Sequence, residues 1–293
     1  MKNFLFLVFF TGWFSSYAQD FKVGLIADCQ YCNCEFSEQW NNDYQKGLPR
    51  LIAAVDTFNT RNVDLALHLG DFIDRDFKSF SEVSPIFESL TMPHFHVLGN
   101  HDFSVVDSLK TQVPQALGLE QPYYTIAKNN WLFIVLDGTD ISLYKTNDTA
   151  FINDADKNRE YYENLGRSQA KPWNGAVGGL QMVWLESQLR NAEKANQNVV
   201  IFCHFPILPE GSANLWNDVE LVQLIEKYSS VKAFINGHHH PGNYMIHNNI
   251  HYLTLQGMVR TKEETAFSII TLKENQIEVN GFGREPNRIL NFK

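Results

Sequence analysis

Five short apolar runs along the chain each stop at a polar cluster. Residues 21–27 (FKVGLIA) end at Asp28, and residues 64–69 (DLALHL) end at Gly70-Asp71. Residues 94–98 lead to Gly99-Asn100-His101, residues 199–203 to His204, and residues 231–235 to Gly237-His238. Apolar runs of this length bounded by turn residues read as buried strands. Between them, residues 45–60 carry Leu48, Leu51, Ile52, Val55 and Phe58 at helical spacing. Residues 82–90, 180–195 and 217–228 also read as helices. Beyond residue 123 the strand pattern takes over. Residues 123–126 and 131–137 form a hairpin-like pair around Lys128-Asn129-Asn130, and residues 250–255, 266–272 and 276–281 read as further strands. Residues 140–178 are polar and irregular, with a short helix near 154–165; an insertion this long is usually functional or mobile.

No internal repeat or low-complexity linker breaks the pattern, so one domain is expected over residues 19–293. Strands alternate with helices early and crowd together later. That order predicts an α/β (α+β) protein, with sheets covered by helices rather than an all-parallel doubly wound design.

Composition narrows the function classes. With 44% hydrophobic and 19% charged residues the chain is globular, not disordered. Its net charge is −9 and its Lys and Arg are scattered, which argues against a nucleic-acid footprint. An acidic protein that handles phosphate must gather positive charge locally, and bound metal ions do so.

The N-terminus has Lys2, an apolar stretch over residues 4–10, and Ser16-Tyr17-Ala18. This is a signal-peptide pattern with cleavage after Ala18, predicting export to the periplasm or medium. The apolar stretch is shorter than the ~20 residues a membrane span needs, so no stable span is expected after cleavage. Cys29 and Cys203 read as small core residues on strands. Cys32 and Cys34 are left open; an oxidising compartment would allow a disulfide.

The chemistry lies in where the apolar runs end. In open α/β sheets, sites form beyond the carboxyl ends of strands. Asp28 and Gln30 are two apart, as are His238 and His240, so an extended backbone would put each pair on one face. Asp71 follows a glycine that permits close approach to a ligand. A lone buried Asp more often caps a turn, and a lone strand-end His is more often a satisfied polar residue. Five such ends in one chain are hard to explain that way together. The candidate ligands, Asp28, Gln30, Asp71, Asn100, His204, His238 and His240, mix oxygen and imidazole without thiolate. Such a set favours manganese, iron or zinc. Two divalent ions held together can clamp a phosphoryl group and acidify a water for in-line attack. His101 directly follows Asn100 and would reach the phosphate as an acid or a charge stabiliser.

The ordered set Asp28-Cys29-Gln30, Gly70-Asp71-Phe72-Ile73-Asp74, Gly99-Asn100-His101-Asp102, His204 and Gly237-His238-His239-His240 resembles the pattern of the calcineurin-like metallophosphoesterases. The resemblance implies a four-layer αββα sandwich of two mixed β-sheets flanked by helices, with a dimetal site at the strand ends. It implies that Asp28, Gln30, Asp71 and His240 hold one metal. Asp71, Asn100, His204 and His238 would hold the other, with Asp71 bridging. His101 would be the catalytic histidine, and Asp74 would orient it. Gln30 departs from the pattern, since most of the family has His there. Asp74 stands where purple acid phosphatases carry a Tyr ligand, so no tyrosinate-iron site is expected.

Gln30 and flanking stretches are similar to the manganese-dependent ADP-ribose/CDP-alcohol diphosphatases. The flanks include Leu136-Asp137, Gly178-Gly179, Trp216-Asn217 and residues 281–289. That likeness implies a nucleotide-type small-molecule substrate, with AMP or CMP as product. Phe36, Phe205 and Trp216 are candidates to stack on a base, with ordinary packing as the alternative. Arg284 and Arg288 could contact phosphate or make structural ion pairs. Competing readings are a general or cyclic-nucleotide phosphodiesterase on the same metals, and a non-catalytic scaffold of the same fold. The oligomeric state is not readable from these residues.

Overall fold

The computed structural model describes residues 20–292. The expected signal peptide, residues 1–18, lies outside them. In chain order the strands are β1 (Phe21–Ile26), β2 (Leu65–His68), β3 (His94–His96), β4 (Tyr124–Lys128), β5 (Trp131–Val135) and β6 (Asn198–Phe202). They continue as β7 (Val231–Asn236), β8 (Asn243–His247), β9 (Ile250–Thr254), β10 (Ala266–Leu272), β11 (Gln276–Gly283) and β12 (Arg288–Asn291). The helices are α1 (Gly47–Thr60), α2 (Phe80–Phe87), α3 (Val113–Ala116), α4 (Thr149–Asn164), α5 (Gly179–Lys194) and α6 (Asp218–Ile225).

The strands build two six-stranded sheets, ordered β12-β11-β10-β1-β2-β3 and β4-β5-β6-β7-β9-β8. Both are mixed. β1, β2 and β3 run parallel, as do β5, β6, β7 and β9, while antiparallel strands complete each sheet. Val23, Leu25, Leu67, Phe133, Phe202 and Ile235 fill the space between the sheets. Leu51 and Phe58 of α1 and Phe87 of α2 cover the outer face of the first sheet. Leu185 and Leu189 of α5 and Leu221 of α6 cover the second. The result is the expected αββα sandwich. Strands buried on both faces read as continuous apolar runs, which is why β6 and β7 stand out in the sequence.

Two strands were not anticipated. β8 and β12 lie at sheet edges and are largely exposed, so neither needs an apolar run. His251 lies buried in β9, with its Nε2 2.8 Å from the Asn291 carbonyl. The insertion is more regular than expected. Asp148 caps α4 by accepting the Ala150 and Phe151 N–H groups at 2.9 and 3.4 Å, so the helix starts at Thr149. Cys32 and Cys34 form a disulfide, and Cys29 and Cys203 are buried thiols.

Candidate metal centre

The parallel strands of both sheets point their carboxyl ends at one place. The chain leaves β1 through Asp28 and Gln30 and leaves β2 through Gly70 and Asp71. These two exits stay zipped together: Asp28 N–H donates to the Gly70 carbonyl at 3.3 Å, and Gln30 N–H to the Asp71 carbonyl at 2.8 Å. The sequence reading placed Asp28 and Gln30 on an extended backbone. The structure corrects this. Asp28, Gln30, Asp71 and His238 all have left-handed φ, between 44° and 64°. Non-glycine residues take that conformation at a cost, and such strain gathers at functional sites. The side chains converge because the chain turns sharply there, not because of strand alternation. Gly99 lets the two exits pack closely: a Cβ on it would lie 2.2 Å from the Asp71 backbone nitrogen.

Asp28, Gln30, Asp71, Asn100 and His204 are buried. His204 Nδ1 lies 2.9 Å from the Leu69 carbonyl, so that nitrogen carries a hydrogen and Nε2 is the atom turned to the cluster, a lone pair whenever the ring is neutral. Nε2 lies 3.1 Å from Asp71 Oδ2, 3.2 Å from Asn100 Oδ1 and 3.2 Å from His238 Nδ1. His238 has its other nitrogen, Nε2, 2.9 Å from Asn174 Oδ1, which makes Nδ1 a lone pair too. Asp71 Oδ2, Asn100 Oδ1, His204 Nε2 and His238 Nδ1 therefore crowd one point, where either a proton on His204 or a bound cation must sit among them. The Gln30 Oε1 atom is buried without a partner, and His240 Nε2 stands 3.6 Å from Asp28 Oδ1. Buried acceptors crowded this way are stable only around positive charge. The donor set fits divalent cations.

Protonation follows the same logic. Burial pushes the Asp28 carboxyl up to about 7 against the pull of His204. Burial would lower His204, but Asp71 and Asp28 outweigh it and raise it to about 9. Burial also opposes charge on His101; Asp71 and the hydrogen bond to Asp74 outweigh it and raise that imidazole to about 9. His101 Nδ1 lies 2.8 Å from Asp74 Oδ1, which leaves Nε2 free on the other side of the ring.

Asp102 received no role in the sequence reading, although it closes the Gly99-Asn100-His101-Asp102 string. Its carboxylate accepts the N–H groups of Gly99, Asp71, Phe72 and Ile73 at 2.7–3.3 Å. It ties the two ligand loops together.

A cleft of about 500 Å³ opens over the cluster, lined by Asp71, Asn100, His101, His238 and His240. The aromatic residues proposed to stack on a base do not line it. Phe205 and Trp216 are fully buried. Phe205 packs against the His204 and His238 rings, and Trp216 donates its Nε1–H to the Lys171 carbonyl, so neither has a free face. Phe36 is half-buried, with the Lys262 ammonium 4.0 Å from its ring centroid. Arg284 spends its guanidinium on the Gly257 carbonyl and Gln256 Oε1, and Arg288 pairs with Glu285. These roles are structural. The exposed rings at the cleft are Trp40 and Trp173, on loops with no legible motif. Arg75, Arg260, Asn42 and His239 line it as well.

A family model described as calcineurin-like phosphoesterase matches residues 21–242. The manganese-dependent ADP-ribose/CDP-alcohol diphosphatase of Mus musculus is 26% identical, covering 93% of this chain and 94% of its own length. That of Arabidopsis thaliana is 28% identical, covering 90% and 94%. The crystal structure of a dimetal phosphatase from Danio rerio has the same fold, with a TM-score of 0.83 and 23% identity over 93% of this chain and 99% of that one. The chain belongs to the calcineurin-like phosphoesterase family and is a metal-dependent phosphohydrolase.

Proposed function

We propose that the chain cleaves the pyrophosphate of ADP-ribose or of CDP-alcohols such as CDP-choline and CDP-glycerol. The products would be a nucleoside monophosphate and an alcohol phosphate. The observation that carries this reading is the acceptor cluster at the base of a nucleotide-sized cleft with Trp40 and Trp173 on its walls. The names of the Mus musculus and Arabidopsis thaliana relatives support the substrate class and favour manganese.

Asp71, Asn100, His204 and His238 would hold one divalent cation. Asp28, Gln30, Asp71 and His240 would hold the second. The chemistry such cations supply is neutralisation of phosphoryl charge and acidification of water. The remaining steps belong to side chains. Asp74 fixes the His101 ring through Nδ1, and His101 would present Nε2 to the leaving oxygen as the proton donor of the site. The leaving group is a phosphate monoester with a second pKa near ~6. Charge alone therefore eases its departure, and full proton transfer is not required. Trp40 and Trp173 offer ring faces to the nucleobase, which stacks without regard to base identity.

Export completes the reading, with residues 19–293 as the mature, single-domain enzyme. The N-terminal apolar stretch and the Cys32–Cys34 disulfide both support an oxidising compartment. No helix among the described residues is long and apolar enough to cross a membrane.

The test uses metal-stripped protein with manganese, magnesium or zinc restored. ADP-ribose, CDP-choline and bis-nitrophenyl phosphate are compared side by side. Manganese-dependent release of AMP or CMP as the leading activity is expected. Preference for the simple diester would overturn the substrate assignment.

A further inference from the structure

An acidic chain places two arginines on the wall of this cleft. Arg75 follows Asp74 and has φ 61°, a left-handed turn that carries its side chain over Tyr44. Its guanidinium carbon lies 5.1 Å from the Tyr44 ring centroid, and Nη2 donates to the Tyr44 hydroxyl at 3.3 Å. Its Nε lies 3.4 Å from Asp74 Oδ2, yet the side chain is 60% exposed, so most of its donors face open space.

Arg260 reaches the same cleft from a clamped loop. The loop pairs with residues 41–43 through an Asn42–Arg260 backbone bridge, Thr261 N–H to the Asn41 carbonyl, and Asp43 N–H to the Val259 carbonyl, the last two at 2.8 Å. Two other arginines hold its carbonyls: Arg50 binds those of Met258 and Thr261 at 2.8 and 2.6 Å, and Arg284 binds that of Gly257 at 2.6 Å. Arg50 and Arg284 are thereby used up. Arginine ion pairs among the described residues are made by Arg75, Arg159, Arg167, Arg190 and Arg288, not by Arg260.

Between the two arginines lies Asn42. It is 5% exposed and lines the cleft, and its Oδ1 atom has no hydrogen-bond partner. A buried polar atom left without a partner is costly and is uncommon in folded proteins. Arg75, Tyr44, Asn42 and Arg260 thus form one continuous wall, since residues 42 and 44 sit on the strip that pairs with the Arg260 loop.

We propose that this wall is the subsite for the second phosphoryl group of the substrate, the one that is not attacked, with Asn42 Oδ1 accepting from a neighbouring hydroxyl. Guanidinium forks match phosphoryl oxygens in pairs. The wall then selects phosphoric anhydrides over substrates with a single phosphate. The inference rests on the proposed anhydride cleavage and identifies what confers it.

The test measures binding, not turnover. The dissociation constants of AMP and of α,β-methylene-ADP are determined by calorimetry on manganese-loaded protein. The two ligands share the nucleoside and differ by one phosphoryl group on an uncleavable bridge. The wild-type protein is expected to favour the diphosphate analogue. Arg75→Gln and Arg260→Gln should each reduce that preference about tenfold. Arg260→Lys, which keeps charge but loses the fork, should fall between. Because the readout is a ratio within one sample, partial unfolding or incomplete metal loading cancels. Equal affinity for both ligands in the wild type, or a preference that the Gln variants leave intact, would overturn the subsite. Failure of the substrate assignment shows separately, as wild-type protein that does not hydrolyse ADP-ribose or CDP-choline.

Discussion

Nε2 of His238 lies 2.9 Å from Oδ1 of Asn174, and this contact decides which imidazole nitrogen faces the acceptor cluster. The amide cannot be reversed without loss, because Asn174 Nδ2 donates to the Gln169 and Ser212 carbonyls, both at 2.8 Å. Gln169 is anchored in turn to Asp218, which pairs with Arg167. A segment that reads as irregular in the sequence therefore sets the tautomer of a strand-end histidine on another element. Asn174→Ala should weaken metal affinity about 10–100-fold, the usual cost of losing an outer partner of a ligating histidine. Titration of the metal-stripped variant by calorimetry measures this directly. Unchanged affinity would mean that the cluster itself fixes the His238 ring.

Gln30 makes a second, independent case. Its Nε2 donates to Asp71 Oδ2 at 3.2 Å, while its Oε1 is buried with no partner. An amide oxygen is a weaker donor to a cation than an imidazole nitrogen, but here it is already desolvated and in place. Gln30→Ala should cost the weaker of two metal-binding steps and leave the stronger one standing. Titration should then resolve one equivalent where the wild type takes two. Loss of both equivalents together would refute the assignment of Gln30 to one ion.

The metal-free protein should lose stability as pH rises from about 6.5 to 9. His101 and His204 are both raised from 6.5 to about 9. Folded-state values above the unfolded ones mean that their contribution is complete below pH 6.5 and disappears as pH passes 9. Asp28, raised to about 7, acts in the same direction as its proton leaves. Burial, joined by the charge on His204, drives His238 below its ordinary value, and burial drives His240 to about 3, so both stay neutral across this window. Bound cations take the place of these protons, so the manganese-loaded protein should show a much flatter profile. Melting temperatures across the window, with and without metal, decide the matter. A metal-free profile as flat as the loaded one would refute the charge assignment.

These cases show which parts were legible in the chain. The strand ends could be read because β6 and β7 are buried on both faces and so are apolar throughout. β8 and β12 could not, because an edge strand needs pairing on one side only. The residues of the acceptor cluster could be picked out by type and order, but their geometry was misread: left-handed φ at Asp28, Gln30, Asp71 and His238 cannot be inferred from apolar periodicity. The cleft walls were invisible for a different reason. Asn42 and Arg260 meet only through a backbone bridge between distant loops, and no local pattern encodes it. Phe205 and Trp216 lie beside the motifs in the sequence, yet they serve as packing beneath the site.

His101 and Asp74 should behave as one unit. Asp74 Oδ1 sits 2.8 Å from His101 Nδ1. If Asp74 acts only by holding that ring and its proton, its value depends on the ring being there. His101→Ala should lower kcat about 10²–10⁴-fold, the range for losing a positioned acid. Asp74→Asn should lower it less and shift the alkaline limb of the pH profile downward, because the charge that helps raise His101 is removed. In the His101→Ala background, Asp74→Asn should change kcat hardly at all, since contacting residues in one network are non-additive. A double variant whose loss equals the product of the two single losses would show instead that Asp74 acts on the site by another route, such as its contact with Arg75.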